Sequence, residues 1–159
     1  MLFVFHTSME IDYSKITEVQ LIYRNTVRPS ERLKITRAVN AYNLFISTWD
    51  MDRMEFVEQF KIMLLNRSNR VIGLSEISSG GMNCVCVDLR LVFATALKAA
   101  ASSIICCHNH PSGSLAISNQ DRMLTERLRQ AGKLLDIAVD DHIILTSEGY
   151  VSFAEEGML

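Results

Sequence analysis

Two histidines one residue apart, His108 and His110, are followed after seven residues by Ser118 and after two more by Asp121. Side chains alternate along a strand, so imidazoles at i and i+2 at a strand end project the same way and can share one ion. A carboxylate from the first turn of a following helix supplies a third ligand. Three protein ligands leave the fourth corner of a tetrahedral zinc to water, which is the catalytic and not the structural arrangement. Ser118 and Asp121 also satisfy a capping-box-like rule, and the two roles are compatible, because a cap can hold Asp121 in the rotamer that a ligand requires. Such a site needs a carboxylate to take the water's proton and pass it to the leaving group. Glu76 is the candidate, at the end of an apolar run just before Gly80-Gly81; Glu55, Glu58 and Asp88 have the same composition, and spacing leaves the base unassigned among them.

The elements around this stretch must hold it still. Ser103–Cys107 reads as a short buried strand and residues 108–114, punctuated by Pro111 and Gly113, as a loop. Ser118–Leu135 reads as a helix with Met123, Leu124, Leu128, Ala131 and Leu135 toward the core. Upstream, Ser30 is a plausible cap for a helix over Glu31–Ile46, and a short turn follows near Asp50–Glu55. Gln59–Asn66 and Val71–Ile77 form an antiparallel hairpin around Arg67-Ser68-Asn69-Arg70, and Cys84–Val87 reads as a further strand. Asp88 caps a buried helix over Leu89–Ala101, and Ala138–Leu145 and Tyr150–Phe153 close the sheet. Alternating strands and helices give an α/β class with a mixed sheet flanked by helices in a single domain. His142, after Asp140-Asp141 on a strand, reads as a structural histidine.

Composition bounds the rest. The 159 residues, 48% hydrophobic with two prolines, suit one globular core and exclude disorder. Sixteen basic against 18 acidic residues give a net charge of −2, so no global positive field is available to hold a polyanion. The basic run Arg24, Arg28, Arg32, Lys34 and Arg37 is explained by a solvated helix face. No stretch reaches the length of a membrane span and the N-terminus lacks a signal-peptide pattern, giving the expectation of a cytoplasmic protein without membrane contact. Cys84, Cys86, Cys106 and Cys107 lie in apolar runs without zinc-knuckle spacing and read as buried reduced thiols.

Glu76, His108-x-His110 and Ser118-x-x-Asp121 together resemble the JAMM metalloprotease motif of JAB/MPN domains. His108-Asn109-His110-Pro111-Ser112-Gly113, Asp141-His142-Ile143-Ile144 and Tyr150-Val151-Ser152-Phe153-Ala154-Glu155 resemble the RadC family, from about Phe56 to the C-terminus. The resemblance implies a cytidine-deaminase-like mixed sheet between helices and one zinc ion on His108, His110 and Asp121. It further implies that Glu76 is the general base and that the Ser118 hydroxyl assists the oxyanion. Ile117 stands where the family usually has proline, and Leu89-Arg90-Leu91 replaces Pro-Arg-Glu. Longer members carry an N-terminal helix-hairpin-helix DNA-binding region, for which residues 1–50 are too short; they are expected to form a segment with a helix packed on a domain spanning 51–159.

The reaction implied is hydrolysis of a peptide or isopeptide bond in a peptide or protein substrate. The rival is a DNA-repair-associated accessory protein with a structural or vestigial metal, in which nucleic acid is the partner. A zinc deaminase is disfavoured, since the H-x-E and P-C-x-x-C ligands are missing.

Overall fold

The computed structural model describes Thr17, Ile22, residues 24–80 and residues 86–159. Among these, β1 (Gln59–Leu65), β2 (Val71–Ser79), β3 (Ser103–Asn109), β4 (Ala138–Leu145) and β5 (Tyr150–Ser152) form one five-stranded sheet in the order β2-β1-β3-β4-β5. The sheet is mixed: β3 and β4 run parallel, and the other neighbours are antiparallel. Among the described residues four α-helices accompany it: α1 (Ala38–Ser47), α2 (Met51–Met54), α3 (Leu89–Lys98) and α4 (Asn119–Leu134).

The central strands are apolar on both sides because both sides are covered. Met63, Leu65, Ile105, Cys107, Ile143 and Leu145 pack with Ala41 and Phe45 of α1 and with Trp49 and Met54. Phe60, Ile62, Leu64, Ile104 and Cys106 face the other way, onto Val92, Phe93 and Ala96 of α3 and Leu128 of α4. Every residue of β3 is buried, so its end delivers side chains into protected surroundings. Strand parity therefore assigns each functional side chain to a face: even positions of β1 and β3 look toward α3 and α4, odd ones toward α1.

Several expected elements move. The helix expected from Glu31 begins at Ala38: Pro29–Glu31 form a 3-10 turn and the next residues are extended. Val71 donates to Leu33 O, Ile35 donates to Asn69 O, and Lys34 bridges to Arg70. Pairing with the hairpin satisfies this backbone before a helix can, and Asn40 Oδ1 then accepts the Thr36 and Arg37 N–H groups at the true start. On α4 the buried stripe is Asp121, Thr125, Leu128 and Gly132, while Met123 and Leu135 are exposed, so the core-facing assignment of those two is corrected. Of the strand expected over Cys84–Val87, Cys84 and Val85 lie outside the described residues, and Cys86 and Val87 are not strand. Cys106 and Cys107 are buried free thiols, but Cys86 is exposed.

Candidate metal centre

β3 ends as it leaves the core, and each of its last side chains has a job set by the pleat. His108 points to the α4 face and is buried; Asn109 points to the α1 face, also buried. The chain continues to His110, whose N–H bonds Leu145 O at 3.0 Å, and then turns, with Gly113 donating to His110 O at a φ of 76° that glycine adopts without penalty. The turn brings the Ser114 carbonyl to His110, whose Nδ1–H donates to it at 2.6 Å. A carbonyl can only accept, so His110 keeps its proton on Nδ1 and offers a bare Nε2.

Asp121 arrives from the other side, held by the cap at the start of α4. Ser118 N–H donates to Asp121 Oδ2 at 2.8 Å, and Asp121 N–H donates to Ser118 Oγ at 3.1 Å. Asp121 Oδ1 then lies 3.2 Å from His108 Nε2, and Oδ2 lies 3.8 Å from His110 Nε2. The two Nε2 atoms are 3.1 Å apart. One ligand atom from each of the three residues lies within 4.8 Å of the others. Burial by itself would raise the Asp121 pKa, but the adjacent His108 imidazole and the Ser118 hydrogen bonds more than reverse this and hold its carboxyl well below the usual carboxylate range. Two imidazoles and an ionised carboxylate aimed at one point fit a divalent cation in chemistry and in number.

These residues open onto a cavity of about 770 Å³ whose lining includes Glu58, His108, His110, Ser118 and Asp121. Glu58 is half-buried, and burial raises its pKa; the nearby His108 and His110 oppose this and Asp121 reinforces it. It stands just ahead of β1, whose Phe60 pairs with His108 across the sheet. Asn109 fixes that approach: its Nδ2 donates to Met54 O at 2.6 Å and Val57 O at 2.9 Å, and its Oδ1 accepts Gln59 N–H at 2.7 Å. The residue between the two histidines thus clamps the segment that carries Glu58.

Glu76 is not brought to this site. It pairs in register with Lys61, accepts from Gln59 Nε2 at 2.8 Å and lies 3.8 Å from Lys61 Nζ, which itself sits over the Trp49 ring. Those partners belong to the α1 face, opposite His108, and a strand side chain cannot cross its own sheet. The assignment of the base to Glu76 is therefore corrected. The other rivals separate as well: Glu55 is exposed and accepts from Ser147 Oγ, and Asp88 caps α3 and pairs with exposed Arg90. Only Glu58 among the four lines the cavity. The signal that finds it is parity, since Glu58 shares the even phase of Phe60, Ile62 and Leu64.

His142 is buried beside the site and is not one of its three converging groups. Its Nε2 lies 2.9 Å from His108 Nδ1 and its Nδ1 lies 2.6 Å from Thr125 Oγ1. Burial above all, helped by His108, pushes its pKa well below the ordinary histidine value. No helix among the described residues is long and apolar enough to cross a membrane.

A family model described as RadC-like JAB domain matches residues 35–158. A UPF0758 protein of Flavobacterium johnsoniae is 44% identical over 101 residues, covering 64% of this chain and 44% of that protein. One from Alkaliphilus metalliredigens is 40% identical over 139 residues, covering 84% and 60%. A third, from Syntrophotalea carbinolica, is 35% identical over 153 residues, covering 92% and 65%. The chain thus spans about half to two-thirds of the length of these relatives. With the mixed sheet between helices and the paired histidines at the end of its central strand already described, the match places this chain in the RadC-like JAB domain family.

Proposed function

We propose that this chain is a zinc-dependent hydrolase that cleaves a peptide or isopeptide bond. The observation that carries the reading is the convergence of His108 Nε2, His110 Nε2 and the Asp121 carboxylate at the wall of a cavity that Glu58 also lines. Held by these three side chains, zinc would supply the Lewis acidity that makes the attacking water easier to deprotonate near neutral pH. The chain's own residues do the rest. Glu58 takes one proton from the attacking water and delivers it to the departing amine, and its raised pKa moves it toward the range in which one carboxyl can do both. Ser118 Oγ already accepts from Asp121 N–H and so keeps its own proton free for the developing oxyanion. Asn109 holds Glu58 in place from the far side of the sheet.

The test combines metal analysis with an assay on peptide and isopeptide substrates. Purified wild-type protein is expected to carry zinc near one equivalent, and His108→Ala to lose it. Glu58→Gln is expected to keep the metal and lose roughly 10²–10⁴-fold in turnover, the usual worth of a positioned acid–base group. Glu76→Gln is expected to behave as wild type. Equal turnover in wild type and Glu58→Gln would remove Glu58 from the reaction, and zinc-free wild type would end the hydrolase reading.

A further inference from the structure

We infer that Thr125 and His142 form a positioning relay that fixes the proton of His108 on Nδ1 and so leaves Nε2 bare for the metal. The inference rests on the metal reading above and concerns how this chain prepares one ligand for it.

The argument is a count of protons along one line of contacts. Thr125 Oγ1 lies 2.6 Å from the Asp121 carbonyl oxygen, one helical turn back. That oxygen can only accept, so the single hydroxyl proton of Thr125 is committed to it. Thr125 Oγ1 is then an acceptor toward His142 Nδ1 at 2.6 Å, which places a proton on His142 Nδ1. His142 Nε2 faces His108 Nδ1 at 2.9 Å inside the core. The neighbouring Asp141 carboxylate is occupied by Ser152 Oγ, Ala154 N–H and His142 N–H and offers the ring nothing. A neutral His142 has one proton, already placed, so its Nε2 accepts and His108 Nδ1 must donate. His108 Nε2 is left with its lone pair, 3.2 Å from Asp121 Oδ1 and 3.1 Å from His110 Nε2.

Packing keeps the line from reversing. The His142 ring stacks on Phe153 with centroids 4.9 Å apart and meets Phe60 edge-on at 5.7 Å, so it has no room to turn over. Metal-ligating histidines usually donate their second N–H to a carboxylate, a carbonyl or water. Here the acceptor is a second histidine, whose own tautomer is set by a threonine from the same helical turn that supplies Asp121. One turn of α4 therefore provides a ligand and prepares another.

The experiment reads imidazole ¹⁵N shifts in histidine-labelled protein, zinc-loaded and also metal-free under chelator at about pH 8. His142 is expected to carry its proton on Nδ1 in both forms, with His108 protonated on Nδ1. A His142 protonated on Nε2 would overturn the relay. Zinc affinity by chelator competition gives the second readout. Thr125→Val and His142→Leu are expected to bind zinc roughly 10–100-fold more weakly, the usual cost of removing a hydrogen-bond partner that orients a ligating histidine. His142→Gln is expected to restore most of the affinity, because an amide oxygen accepts from His108 Nδ1–H while the amide N–H donates to Thr125. Wild-type affinity in Thr125→Val would overturn the proposal even if His142→Leu fails to fold. Wild type that takes up no zinc would sink the metal reading, while the metal-free tautomers would still decide the relay.

Discussion

Asp121 does two things with one carboxylate: Oδ2 closes the cap on α4, and Oδ1 faces the histidines. The Ser118 hydrogen bonds and the adjacent His108 imidazole outweigh burial and depress its pKa from the ordinary 3.8, so folding favours the ionised form. A depressed folded value contributes stability that is complete above 3.8 and is lost as pH falls through the folded value. In urea titrations under chelator, the wild-type protein is expected to lose unfolding free energy below about pH 4, and Asp121→Asn to lose less over the same span. Parallel curves for the two proteins would show that the carboxylate is not coupled to folding. At this scale the sequence was most legible, because His108, His110, Ser118 and Asp121 are joined by local spacing and a helix cap, both of which act over a few residues. The base was not legible in the same way: Glu58 meets the site across a strand pair 48 residues apart in sequence, Phe60 with His108.

Elements turn those residues into a site, and two contacts between elements matter most. Asn109 ties β3 to the chain ahead of β1 through three hydrogen bonds, two of them fully buried. Asn109→Ala is expected to cost on the order of 3 kcal/mol in chemical denaturation, since Met54 O, Val57 O and Gln59 N–H lose their partner together. Turnover is expected to fall in the folded fraction while zinc content holds, because Glu58 is displaced and the ligands are not. Gly132 is the second contact. A Cβ there would collide with the Ile137 carbonyl oxygen, at the point where Ile137 N–H returns to Gly132 O after Asp136 takes a φ of 54°. Gly132→Ala is expected to destabilise by about 1–3 kcal/mol through overpacking, read as a lower urea midpoint. Element types were legible from period and punctuation, but the start of α1 was not. Residues 33–35 prefer pairing with the hairpin to winding into a helix, and that competition is tertiary.

For the molecule as a whole, the two faces of the sheet divide the labour. The α1 face holds an apolar core and the Lys61–Glu76 pair, while the α3 and α4 face carries the histidines, Asp121 and the cavity. A cation bound to the folded chain alone stabilises it by mass action, about 2.7 kcal/mol at a free concentration 100 times Kd. For a chain of this size that corresponds to a rise of roughly 5–10 °C in the thermal midpoint, to be checked by calorimetry with zinc against chelator. An unchanged midpoint at saturating zinc would mean that no site forms on folding.

The alternation at the end of β3 constrains how this protein can change over evolutionary time. Because His108 and Asn109 look to opposite sides of one pleated strand, a single inserted or deleted residue between Ser103 and Cys107 would exchange their destinations, sending the imidazole toward the α1 face and the amide toward the metal ligands. Indels in this strand are thereby excluded while conservative replacements remain open, and lineages carrying the site should share one strand length here even where their side chains drift.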